Sequence, residues 1–123
     1  MDNNTTIQDL KNIVKKFCED RDWSQYHNPK DLAIGISTEA NELLEIFRFK
    51  SEDEIRDILK DSKKRAKMEN EVADVLFFIL RFAQMNDIDL ETTLRRKVKI
   101  NKEKYPTDLF KGSNKKYDEK QFE

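Results

Sequence analysis

The chain has 123 residues, enough for one domain and too few for two cores of ordinary size. Its 24 Lys plus Arg against 25 Asp plus Glu leave a formal charge of -1, so bulk electrostatics give no case for a nucleic-acid or membrane partner. Two glycines and two prolines favour helices over a turn-rich sandwich, and the single Cys18 excludes an intrachain disulfide or a multi-thiolate zinc site.

The opening MDNNTTIQDL lacks the basic-then-apolar pattern of a secretion signal, so the expected setting is cytoplasmic. Ile7, Leu10, Val14 and Phe17 recur at helical spacing and predict a first helix from about Thr6 to Arg21. Cys18 reads as a small core residue. The stretch DWSQYHNP ends the periodicity and reads as a connection. Asn28 then starts a second helix, because Asn caps exposed N–H groups and Pro29 is tolerated at the first helical position. That helix runs to about Phe49 through Gly35, which lowers local propensity without breaking it.

Ser51 and Glu54 have capping-box spacing ahead of a short helix through Ile55, Ile58 and Leu59. The polar KDSKKRAK reads as a bend or a solvated helical start, leading into a helix from about Ala66 to Met85. Its apolar run VADVLFFILRF is interrupted by Asp74 and Arg81 and is too short to span a bilayer. Asp87 or Asp89 caps a last long helix that ends before Pro106. Residues 107–123 read as a polar tail, with Leu109, Phe110, Tyr117 and Phe122 available for docking. The fold class is all-α, with residues 1–106 as the folded domain.

Two acid pairs stand out. Glu39 and Glu42 are three apart, and Leu32, Ile36, Leu43 and Ile46 fall on their side of the helix. Glu71 and Asp74 repeat the spacing among Val75, Phe78, Ile79 and Phe82, on a helix apolar nearly all round and expected to be central. Either pair alone reads equally as surface acids. Together, on core-facing stripes, they would repel unless protonated or neutralised, and a divalent cation does the latter. Carboxylate oxygens without thiolates or clustered histidines favour Mg2+, with Mn2+ as a substitute. Glu45, one turn beyond Glu42, is either a further ligand, a water-positioning group or an exposed charge.

Lys97, Asn101 and Lys104, followed by Tyr105, present two cations and an amide along one side of the last helix. Beside a metal site that pattern suits a phosphate chain; alone it is a solvated basic face. Between Arg21 and Lys30, Trp23 could stack on a base and His27 could read a polar edge, or both could serve packing and backbone bonding. No nucleophile elbow, Cys–His dyad or P-loop is present in the sequence.

The words EANE at 39–42 and EVAD at 71–74, with 28 residues between them, match an E-x-x-E, spacer, E-x-x-D signature. With RDWSQYHNPKDL, ELLEIFRF, DVLFFILRFA and KINKEKYP, the chain resembles the MazG-like nucleotide pyrophosphohydrolases, on the dCTP pyrophosphatase-like branch, over roughly residues 7–106. The resemblance implies a MazG-like helical bundle completed by oligomerisation as a homodimer or homotetramer. It implies magnesium-dependent hydrolysis of nucleoside triphosphates, dCTP or related dNTPs, to a monophosphate and pyrophosphate. Glu39, Glu42, Glu71 and Asp74 would be the metal ligands. Lys97, Asn101, Lys104 and Tyr105 would border the phosphates, with Lys104 also in the catalytic set. Trp23 and His27 would lie near the base or sugar, Phe49 would stand where the branch often has a second pocket tryptophan, and Lys30 would belong to the substrate-binding set.

Asn41, Phe49 and Lys30 depart from the branch's frequent glycine, tryptophan and arginine, which bears on base preference. Either Glu42 or Glu45 would orient or deprotonate the attacking water, and one-ion and two-ion versions both fit. A hydrolase of dUTP, modified nucleotides or phosphoribosyl nucleotides, and a non-catalytic nucleotide-binding regulator, are the competing accounts.

Overall fold

The computed structural model describes residues 1–120, and the side chain of Lys120 and all that follows lie outside the description. Every described regular element is helical, in agreement with the all-α expectation. The helices are α1 (Ile7–Glu19), α2 (Pro29–Phe47), α3 (Glu52–Lys60), α4 (Ser62–Met85), α5 (Leu90–Lys104), α6 (Thr107–Phe110) and α7 (Tyr117–Lys120). Short 3-10 turns occupy Asp2–Asn4 and Ser24–Tyr26. Two compact units divide the chain, the first being Met1–Ile88 and the second starting at Asp89.

Side-chain caps fix the helix starts. The Thr6 hydroxyl accepts from the Asp9 N–H while the Asp9 carboxylate accepts from the Thr6 N–H, a reciprocal capping box. Ser51 and Glu54 make the second one at α3, as their spacing predicts. Asn28 accepts from the Asp31 N–H with Pro29 beside it, and Asp89, not Asp87, caps α5. The α4 helix starts earlier than its apolar pattern suggests. Asp61 accepts from the Lys63 and Lys64 N–H groups, so the expected bend collapses onto one residue and the basic run becomes the first turn. The α2 helix stops at Phe47, two residues short of expectation, and Phe49 takes a left-handed conformation with φ 58°.

Within the first unit, α4 is central, as its all-round apolar character predicts: it packs against α1 and α3 and most extensively against α2. Val14, Cys18, Leu32, Ile58, Leu80 and Ala83 form the buried apolar set. The buried face of α1 is offset from the expected stripe. Lys11, Val14 and Cys18 point inward, while Ile7 and Phe17 remain exposed. The offset has a polar cause, since the Lys11 ammonium donates to the Ile88 carbonyl and its alkyl stem is buried on the way.

Gly35 sets the closeness of α2 and α4. A Cβ at that position would lie 2.6 Å from two ring carbons of Phe78, so only glycine admits the ring against the α2 backbone. Four residues on from Gly35 is Glu39, and four back from Phe78 is Asp74; steps of seven reach Glu42 and Glu71. In an antiparallel pair these steps bring the two acid pairs to the same level.

In the second unit, Tyr105 ends α5, and its ring meets those of Phe110 and Tyr117 with centroids 4.8 and 6.0 Å away. Two of the expected tail contacts are therefore made; Leu109 stays exposed and Phe122 lies outside the described residues. Among the described residues no helix is long and apolar enough to cross a membrane.

Replacing Gly35 by Ala tests this packing. The better helix propensity of Ala is worth about 1 kcal/mol, against about 1–3 kcal/mol for overpacking against an aromatic ring. Chemical denaturation is expected to show a net loss of stability, and a stabilised Gly35→Ala variant would contradict the close approach.

Candidate metal centre

One carboxylate oxygen each from Glu39, Glu42, Glu71 and Asp74 converge so that all four lie within 4.8 Å of one another. Glu39 and Glu42 project from successive turns of α2, and Glu71 and Asp74 from successive turns of α4. The acids are less deeply placed than their apolar neighbours in the sequence suggest. Glu39 and Glu71 are half-buried, whereas Glu42 and Asp74 are exposed. Leu32 on α2 and Leu80 on α4 are buried, and the acids sit further along the two helices.

Two oxygens carry the electrostatic problem. Glu39 Oε2 and Glu71 Oε2 are sealed from solvent and have no hydrogen-bond partner. A solvent-sealed carboxylate oxygen without a donor is costly. Proximity of Glu42, then burial, then the negative charges of Glu42, Asp74 and Glu71 push the Glu39 pKa up to about 7. Burial first, and the Glu42 and Asp74 charges after it, raise that of Glu71, while Lys67 works against them. The metal-free cluster therefore resolves its repulsion by holding a proton near neutral pH. A divalent cation would displace that proton and satisfy both orphaned oxygens, and the all-oxygen donor set fits Mg2+ or Mn2+.

Glu45 lies one turn beyond Glu42, exposed, with its carboxylate 3.2 Å from Arg48. It lines a cavity of about 300 Å³ with Ile46, Lys50, Glu54 and Lys67 among the other walls. Lys67 precedes Glu71 by one turn, so this cavity adjoins the acid cluster from both helices. Lys67 reads in the sequence as part of a solvated run, and its i, i+4 spacing from Glu71 on α4 is the signal that places it beside the cluster.

The other sequence-chosen residues fall into two groups. Trp23 and His27 flank the 3-10 turn before α2, their rings 6.2 Å apart, and Trp23 also meets Phe17 edge-on at 5.5 Å. Lys30 is exposed in the first turn of α2. Phe49 is 91% exposed, strained at φ 58° and covered on one side by the Arg48 guanidinium, 4.8 Å from the ring centre. Asn41 turns its amide back to the Ser37 carbonyl and stays exposed, so it does not obstruct the cluster. In the second unit Lys97, Asn101 and Lys104 share one face of α5, and the Lys104 ammonium stands 5.0 Å from the Tyr117 ring centre.

The MazG-like family profile matches residues 34–119, a span that contains both acid pairs. The chain belongs to the MazG-like family. Within it, this MazG-like chain lies on the dCTP pyrophosphatase-like branch. It is 33% identical over 112 residues to dCTP pyrophosphatase 1 of Rattus norvegicus, which covers 91% of the chain and 66% of the rat protein. The Homo sapiens protein of the same name is 32% identical over 114 residues, covering 93% of the chain and 67% of the human protein. The chain thus spans about two thirds of the length of these relatives, marginally less for the rat protein. Among solved structures, a pyrophosphatase from Archaeoglobus fulgidus DSM 4304 aligns with a TM-score of 0.73 and 39% identity, over 80% of this chain and 91% of that one.

Proton displacement from the MazG-like acid cluster is measurable. Below about pH 7 a cation must compete with the Glu39 proton, and above it the carboxylate is free. Divalent-ion affinity should therefore rise as pH increases from 6 to 8, by up to about tenfold per unit on the acid side for one displaced proton. Calorimetry with Mn2+ in buffers of different ionisation enthalpy should count that released proton. Affinity independent of pH, with no proton released, would contradict the cluster described.

Proposed function

We propose that this chain hydrolyses nucleoside triphosphates, dCTP or related dNTPs, to the monophosphate and pyrophosphate with Mg2+ as cofactor. The observation that carries the reading is the convergence of four carboxylates, two with sealed and unpartnered oxygens, on two antiparallel helices. The names of the relatives support the substrate class.

Glu39, Glu42, Glu71 and Asp74 would hold the magnesium. Bound there, the ion would supply charge neutralisation for the phosphate oxygens and acidify water. In the reaction a water oxygen forms the new bond to the α-phosphorus, and the bond from that phosphorus to the α,β-bridging oxygen breaks. Glu42 or Glu45 orients the water and accepts its proton, and the open cavity beside Glu45 leaves room for that task. Lys97, Asn101, Lys104 and Tyr105 border the triphosphate, and the lysines offset the charge gathering on the leaving pyrophosphate. Trp23, His27 and Lys30 meet the base and sugar. Phe49, held out in solvent by its strained backbone, adds a stacking face.

The active form is a homodimer or homotetramer. Val72, Leu76 and Ile79 make an apolar stripe along α4 that the single chain leaves exposed, at 49%, 43% and 37%. The stripe supports burial against another copy, and the absence of a dominant charge sign gives nucleic acid no evident foothold. A cytoplasmic setting belongs to the same reading.

A panel of dNTPs with and without magnesium, with products separated by anion exchange, tests the reaction. Pyrophosphate and a dNMP are expected, with dCTP among the better substrates and nothing formed in chelator. Orthophosphate and a dNDP would move the cleavage point and reject the proposal. Glu42→Gln and Glu45→Gln then separate the water-handling roles. The group that orients water should cost about 10²–10⁴-fold in kcat. Glu42→Gln should also weaken Mn2+ binding, whereas Glu45→Gln should leave it intact. An unchanged kcat in both variants would remove both from the mechanism.

A further inference from the structure

Arg81 is fully buried, yet no carboxylate among the described residues lies within ion-pair distance of it. Its guanidinium is satisfied by three neutral acceptors. Nε donates to His27 Nδ1 at 2.9 Å, Nη2 donates to the Ser24 hydroxyl at 2.9 Å, and Nη1 donates to the Gln84 amide oxygen. Burying a cation against neutral groups is an expensive arrangement when an acid or a simple apolar side chain would serve packing as well. The fork joins the interior of α4 to both ends of the Ser24–His27 segment, which carries the imidazole and follows directly on Trp23.

The chemistry of the contact is one-sided. Guanidinium has no acceptor, so the imidazole nitrogen that faces it must carry a lone pair. The proton of the neutral ring is then confined to Nε2. No protein acceptor takes the Nε2 hydrogen among the described residues. Burial first and the Arg81 charge second lower the His27 pKa, which agrees with a neutral ring at physiological pH. Trp23 stacks edge-on against the same ring, and Arg81 is the charged group packed on it.

We propose that Arg81 is a positioning residue that locks His27 as a neutral Nε2–H hydrogen-bond donor, so that this segment recognises an acceptor atom, a carbonyl oxygen or unprotonated ring nitrogen, on the nucleotide. This rests on the proposed nucleotide reaction for its ligand, but the state of the ring does not. A His27 free to change tautomer would offer donor or acceptor; the locked ring offers only a donor, and discriminates against a base edge that presents N–H there.

His27 is the sole histidine, so long-range ¹H–¹⁵N correlation on the labelled full chain reads it without ambiguity. In the nucleotide-free wild-type protein at pH 7.5, Nδ1 should resonate as an unprotonated nitrogen and Nε2 as a protonated one. In Arg81→Met the two should move towards each other as tautomers average. A wild-type Nδ1–H ring, or one already averaged, overturns the proposal without any variant having to fold. Addition of a dNTP with a non-hydrolysable α,β-imido bridge should shift Nε2 and slow exchange of its hydrogen; an unmoved Nε2 at saturation overturns the donor role. Ser24→Ala, a milder break in the fork, should raise KM several-fold with kcat nearly unchanged, and a loss confined to kcat counts against positioning. If the wild type turns over no triphosphate, the reaction proposed above falls, while the ring's tautomer still decides whether Arg81 locks it.

Discussion

The close approach of α2 and α4, allowed by the missing side chain at Gly35 and filled by the Phe78 ring, is the constraint on which the rest depends. It fixes the register in which Glu39 and Glu42 face Glu71 and Asp74. Four acids in so small a space repel one another, and two of their oxygens are cut off from water. Helix packing, caps and the buried apolar set hold this arrangement against its own electrostatics. The stored conflict has two exits, a retained proton or a bound cation, and the raised pKa of Glu39 shows the first. The second is the one that gives the arrangement chemical use.

A second conflict of opposite sign lies further along the same helix. Arg81 brings a cation into the interior at the level of Leu32, and three neutral acceptors share it. A cluster of acids and a buried cation with no acid beside it thus both draw on α4. The acids bring together an oxygen set of the kind a divalent cation takes, and Arg81 ties down the segment that leads into α2. Stability alone favours neither, because well-packed apolar residues would replace a buried charge at little loss. Their placement is therefore informative about function in a way that Val14 or Ile58 is not.

Much of this was legible in the sequence. The caps at Asn28 and Ser51 are local devices, read from a few residues each, as is the choice of Asp87 or Asp89 that the structure resolves to Asp89, and the helices that follow start where the patterns put them. The i, i+3 spacing placed each acid pair on one face, and the apolar surround pointed the faces inward. What failed to show was long-range. The Lys11 bond to the Ile88 carbonyl, which turns α1, joins residues 77 apart, and no periodicity announces it. Gly35 looked like a propensity defect because its partner ring is on another helix. Arg81 looked like an interruption in an apolar run, since two of its three acceptors lie in a connection more than fifty residues earlier. The depth of the acids was overread for the same reason: apolar neighbours in sequence do not say where a helical seam opens.

The most direct test of the central claim is anomalous scattering from crystals of the chain grown with Mn2+. The account predicts a manganese peak bounded by oxygens of Glu39, Glu42, Glu71 and Asp74, with the unpartnered oxygens of Glu39 and Glu71 among its ligands. A peak held elsewhere, or these four side chains turned apart into solvent with no ion between them, would contradict it.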